Sequence, residues 1–163
     1  MKDSFKAYRT RIMINMDKAG ISQDNLMTPG DVDCYIIMIY WESRANFGLD
    51  NKKHSFGMML HLSTDNLNET MIILESELAK NRRLFQNAAK QSIVIIHKNI
   101  ENSQYSGLMR EKQEKDLQIF YAIICKYIGR AKWTKVAYKD RLDNVIMEVN
   151  SKVWHSGKLK GNF

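Results

Sequence analysis

Residues 33–42 read DCYIIMIYWE, and how they are read decides the fold. Eight consecutive apolar side chains, Cys34 to Trp41, end on a lone carboxylate, Glu42. With Asp31 or Asp33 as the cap, the stretch reads as a helix from Val32 to about Ser43, apolar nearly all round and therefore central. Behind it, residues 46–55 form a polar, turn-rich loop with room for a short hairpin. The apolar segment 56–62 is too short for its period to choose between strand and helix.

The rest of the chain extends the helical reading. Phe5, Tyr8, Ile12 and Met16 fall at helical spacing, predicting a first helix over residues 4–18. Gly20 ends it, and a connector with a Pro29-Gly30 turn follows. Residues 63–66 are all cap formers. Beyond them a long helix carries Met71, Leu74, Leu78 and Phe85 on one face. IVIIHKNI suggests a helix over residues 88–100. A strong amphipathic helix runs from Leu108 or Met109 to Tyr127 and is broken by Gly129. A last helix covers residues 138–154, and residues 155–163 form a frayed tail. A single proline in 163 residues gives little punctuation. The expectation is one all-α, single helical domain over residues 1–163, with residues 1–33 as N-terminal helix and connector and a small β-hairpin near residues 46–60.

Net charge is +7 and uneven. Residues 110–163 hold twelve basic against six acidic side chains, whereas residues 1–109 are nearly balanced. Such a field attracts nucleic acid, an anionic membrane or an anionic wall polymer without choosing among them. Cys34 and Cys125 lie in apolar runs and read as small buried hydrophobes, although a single bridge stays open. The opening residues carry charges every few positions and no apolar signal core. No run approaches the roughly 20 apolar residues of a membrane span. The expected location is therefore cytoplasmic, with access to a cell wall only on release. His54, His61, His97 and His155 are scattered without metal-ligand spacing, and the glycines are isolated, so no metal site and no cofactor are expected.

Two resemblances emerge. KAGISQDNL resembles the opening of a repressor-type helix-turn-helix. The helix that would then enter the major groove is DCYIIMIYW, which offers almost nothing to base edges. The segment ESRANF resembles the Glu-Ser-x-x-Asn opening of the lytic transglycosylase and goose-type lysozyme families. In those families the glutamate ends an apolar helix and a Gly-Leu-Met-Gln motif follows. Here Gly57-Met58-Met59-Leu60 begins fifteen residues after Glu42, with leucine in place of glutamine. Tyr127 and Gly129 stand near the place of the family's Ala-Tyr-Asn-x-Gly segment, without its asparagine.

The resemblance implies a lysozyme-like peptidoglycan-cleaving enzyme, endolysin-like in lacking a leader, that acts on glycan strands with Glu42 as its single general acid. Ser43, Gly57, Met58, Met59 and Tyr127 would line the sugar cleft. A carboxyl in an apolar pocket has a raised pKa, which suits an acid that must carry a proton. Duller readings stand beside these: Met58 and Met59 as core filler, Tyr127 as a buried helical tyrosine, Asp50 as a turn residue. The rival class is a non-catalytic basic helical protein, a nucleic-acid binder or a regulator acting on a protein partner, from a phage or mobile element. Lys126, Arg130, Lys132, Lys135, Lys139 and Arg141, interleaved with Tyr127, Trp133 and Tyr138, would be its surface.

Overall fold

A computed structural model of the chain describes residues 11–30, 34–43, 53–63, 66–100, 106–139 and 142–163. Those residues are 47% strand and 31% helix, which overturns the all-α, single helical expectation. Ten strands form two five-stranded sheets, and two α-helices cover one of them.

The decisive run is a strand. β4 spans Cys34–Ser43, and every residue in it is buried. Its neighbours are β5 (His54–Ser63) and β6 (Ala88–Lys98), both antiparallel to it. A central strand covered on both faces needs apolar side chains at every position, so its alternation disappears. The three isoleucines, two tyrosines and one tryptophan among ten residues are what a pleated surface accepts readily. The same reason turns the expected helix over residues 88–100 into β6.

The central sheet has the order β2-β5-β4-β6-β7, with β2 at Lys18–Ser22 and β7 at Lys132–Tyr138. β7 runs parallel to β6, and the crossover between them contains α2 (Ser106–Ile128). α1 (Leu67–Lys80) links β5 to β6, followed by a 3-10 turn at Arg82–Phe85. Both helices follow their sequence signals. The Asn66 side chain caps α1 by accepting from the amides of Asn68 and Glu69. Leu74 and Leu78 on α1, and Leu117, Phe120, Ile124 and Ile128 on α2, pack on Tyr35, Ile37, Ile39, Trp41, Met58, Leu60, Ile93 and Ile95 of the sheet. Gly129, at φ +80°, ends α2.

The opposite face of the central sheet carries Ile36, Met38, Tyr40, Met59, Val94 and Ile96. It packs on the second sheet, ordered β1-β3-β8-β9-β10: Arg11–Met13, Asn25–Thr28, Val145–Glu148, Val153–Ser156 and Leu159–Asn162. The layers are thus helix, sheet, sheet. Residues 11–18 are not the helix expected over 4–18; Phe5 and Tyr8 of that stripe lie outside the described residues. In place of the helix expected over residues 138–154 the structure has the end of β7, then β8 and the start of β9; Val145 and Met147 of β8, and Val149 just after it, are buried in the sandwich. The expected frayed tail is the β9–β10 hairpin, with Leu159 opposite Ser156. In place of the small hairpin expected near residues 46–60 the structure has two ten-residue strands, β4 and β5, paired along their whole length; the segment between them, with Asp50, lies outside the described residues.

Candidate functional site at the end of the sheet sandwich

Alternation along β4 sends Tyr40 and Glu42 toward the second sheet and Trp41 and Ser43 toward the helices. Glu42 has a side chain only 8% exposed, yet both its oxygens are paired. Lys152 Nζ donates to Oε1 at 2.7 Å, and Lys90 Nζ lies 3.5 Å from Oε2. The Tyr40 hydroxyl donates to Oε1 at 3.1 Å and sits 3.1 Å from Ser55 Oγ. Phe163 stacks on the Tyr40 ring at a centroid distance of 5.7 Å.

Local backbone geometry brings these groups together. Between the pairs Tyr40–Ser92 and Glu42–Ala89, β4 has one residue where β6 has two, a β-bulge holding Lys90 and Gln91. Lys90 adopts φ +50°, and Gln91 anchors the bulge by donating to the carbonyls of Ala88 and Ile128. Lys152 adopts φ +56° in the turn between β8 and β9. Its amide donates to Val149 O, and its carbonyl accepts from the Phe163 amide. Both lysines therefore sit in a left-handed conformation that non-glycine residues rarely occupy.

Electrostatics follow from the pairing. The Lys152 ammonium holds the Glu42 carboxyl below its ordinary value of 4.5; burial opposes this, and Tyr40 and Lys90 reinforce it. The hydrogen bond to Glu42 raises Lys152 in turn. Burial raises Tyr40, so its phenol keeps its proton at neutral pH. Glu42 is thus an ionised acceptor between two cations, where a general acid would need the protonated form.

The residues expected around a sugar cleft are distributed otherwise. Glu42 does not close an apolar helix, as the resemblance implied, but lies in a strand. Ser43 is buried on the helix-facing side of β4. Met58 belongs to the helix–sheet core and Met59 to the sheet–sheet core. Gly57 is explained by close approach: a Cβ there would lie 2.5 Å from Val149 Cγ2 and 2.7 Å from Met147 Cε. Tyr127 is on α2, across the central sheet from Glu42, and donates to Glu75 Oε1 at 3.1 Å. Trp41 is core, with its indole N–H donating to Leu84 O and its ring on Phe56 and Phe85.

The basic run is also divided. Lys126 pairs with Glu75 on α1, and Lys135 pairs with Glu114 on α2 at 2.6 Å. Arg130 lies in the α2–β7 connection, Lys132 starts β7, and Lys139 follows it. Arg141 lies outside the described residues.

Tyr40, Ser55, Lys90 and Lys152 escape sequence reading because they converge only through the sheets; Lys152 is 110 residues from Glu42. Reading residues 34–43 as a strand would have put Tyr40 and Glu42 on one face. A second polar bridge crosses the sandwich where His61 Nδ1 lies 2.6 Å from Thr28 Oγ1. Since Thr28 donates its hydroxyl to Ile14 O, the histidine nitrogen is the donor. Elsewhere, burial raises Asp116 on α2, which Tyr35 hydrogen-bonds. Among the described residues no group of three His, Cys, Asp or Glu side chains has metal-binding proximity, and no helix is long and apolar enough to cross a membrane. No protein-family model and no curated protein sequence matches this chain.

Proposed function

We propose that this chain is a non-catalytic binding protein that takes an anionic group, a phosphate or a carboxylate, between Lys90 and Lys152. The observation that carries this reading is the convergence of two lysines, each on a left-handed backbone and each from a different sheet, on one buried carboxylate. Their side chains remain 66% and 48% exposed, so solvent and its anions can reach both while they hold Glu42. Glu42 neutralises one of the two charges and fixes where both are held. The Tyr40 hydroxyl, donating to Glu42 with Ser55 beside it, helps hold the carboxylate in place. A net positive, preorganised cluster on a chain of charge +7 favours anions over cations.

The reading is tested by titrating the protein with inorganic phosphate and with a short single-stranded oligonucleotide, following lysine side-chain NMR signals. Both anions are expected to shift Lys90 and Lys152, and affinity for the oligonucleotide is expected to fall as salt rises. Paired Lys90→Met and Lys152→Met substitutions should remove both responses. Undiminished binding by that folded double variant, or no response from either lysine, reduces the cluster to a tie between the sheets.

A further inference from the structure

Among the described residues β7 is an edge strand of the central sheet. Tyr138 fixes which backbone groups face outward. Its carbonyl accepts from the Asn99 amide at 2.7 Å, so its hydrogen-bonding groups point toward β6. Strand groups alternate in direction, which sends those of Lys132, Thr134 and Val136 toward β6 as well. The amides and carbonyls of Trp133, Lys135 and Ala137 therefore point away from the sheet. Among the described residues no strand lies beyond them. Six aligned backbone groups on a seven-residue strand form a pairing template.

Charge decides the occupant. Lys132, Lys135 and Lys139 line this edge, and Arg130 precedes it. Lys135 is partly neutralised by Glu114, whereas Lys132 and Lys139 are exposed at the two ends. Pairing β7 with β7 of a second copy would bring lysines against lysines. An extended strand bearing carboxylates would meet them with opposite charge. Trp133 is half-buried and stacked on Tyr121 at 4.6 Å, and with Lys135 over its ring it holds that cation beside the edge.

We infer that β7 docks an extended acidic segment of a partner protein by adding a strand to the central sheet, through the outward backbone groups of Trp133, Lys135 and Ala137. This surface is separate from the lysine pair at Glu42 and does not depend on it. The probe is a capped ten-residue peptide of alternating glutamate and valine, with a lysine-valine peptide beside it. On addition of the acidic peptide, amide exchange at Trp133, Lys135 and Ala137 should slow by about tenfold or more, because each joins a ladder.

Lys135→Pro removes an outward donor without taking a bond from the β6–β7 ladder, and should abolish the protection. Lys132→Glu with Lys139→Glu leaves the backbone intact and should weaken the acidic peptide at least tenfold. The inference is overturned if the lysine peptide protects these amides equally, or if the acidic peptide protects none of them. It is also overturned if the protein alone protects them in step with dimerisation, which would make the occupant a second copy.

Discussion

The Lys152 ammonium lies 2.7 Å from the Glu42 carboxylate and ties the turn between β8 and β9 to the end of β4. The pair crosses from one sheet to the other. Together with the contact between His61 and Thr28 it gives an otherwise apolar sandwich two fixed polar registers. Such pairs add little net stability, because removing charges from water offsets much of their attraction.

Glu42→Gln tests that pair through acid unfolding. A carboxyl whose folded pKa is lowered contributes stability that is fully present above its ordinary value of 4.5 and is lost as pH falls through the lower native value. The wild type should therefore lose stability over that acid range, and Glu42→Gln should show a shallower loss there. Urea unfolding at a series of pH values measures it; identical slopes would mean that Glu42 is not held ionised by the fold.

Gly57→Ala should destabilise the protein by about 1–3 kcal/mol, since overpacking a close contact forces neighbours aside. The new methyl meets Val149 and Met147 of the second sheet. Thermal unfolding checks the cost. Shortening Val149 to Ala in the same chain should recover part of it, which a role for Gly57 in a sugar cleft would not require.

Trp41→Ala should cost about 3–5 kcal/mol, the range for deleting a large aromatic from a packed core. It removes the stack on Phe56 and the tilted contact with Phe85, and leaves the Leu84 carbonyl without its donor. Denaturant unfolding gives the value. Trp41→Phe should cost less, because it retains most of the packing.

Asn66→Ala should cost about 1 kcal/mol, the usual loss when a helix N-cap is deleted. Its side chain satisfies two amides at the start of α1. Asn66→Asp should restore the stability, and equal melting temperatures for wild type and Asn66→Ala would refute the assignment.

Digestion of purified peptidoglycan tests the glycan-cleaving expectation directly. Held between Lys152 and Lys90, Glu42 is poorly placed to donate a proton. The expected outcome is equal, background-level release by wild type and Glu42→Gln. Anhydro-muropeptides from wild type alone would restore the acid role and displace the anion-binding proposal.

Much of the helical layer was legible in the chain. Asn66 and the spacing of Leu74 and Leu78 announce α1, and the amphipathic stretch ended by Gly129 announces α2, because a helix writes its period and its caps into local sequence. The sheets were not legible in the same way. DCYIIMIYWE has no period to read, since both faces of β4 are covered, and only the partners β5, β6, α2 and the second sheet decide that it is extended. Composition and charge by themselves determined a sizeable apolar core, no apolar run of membrane-spanning length and a basic C-terminal third. The tertiary structure alone decided what Glu42 is. Its lysine partners are 48 and 110 positions away in the chain, and the bulge and turn that aim them exist only once the two sheets have packed.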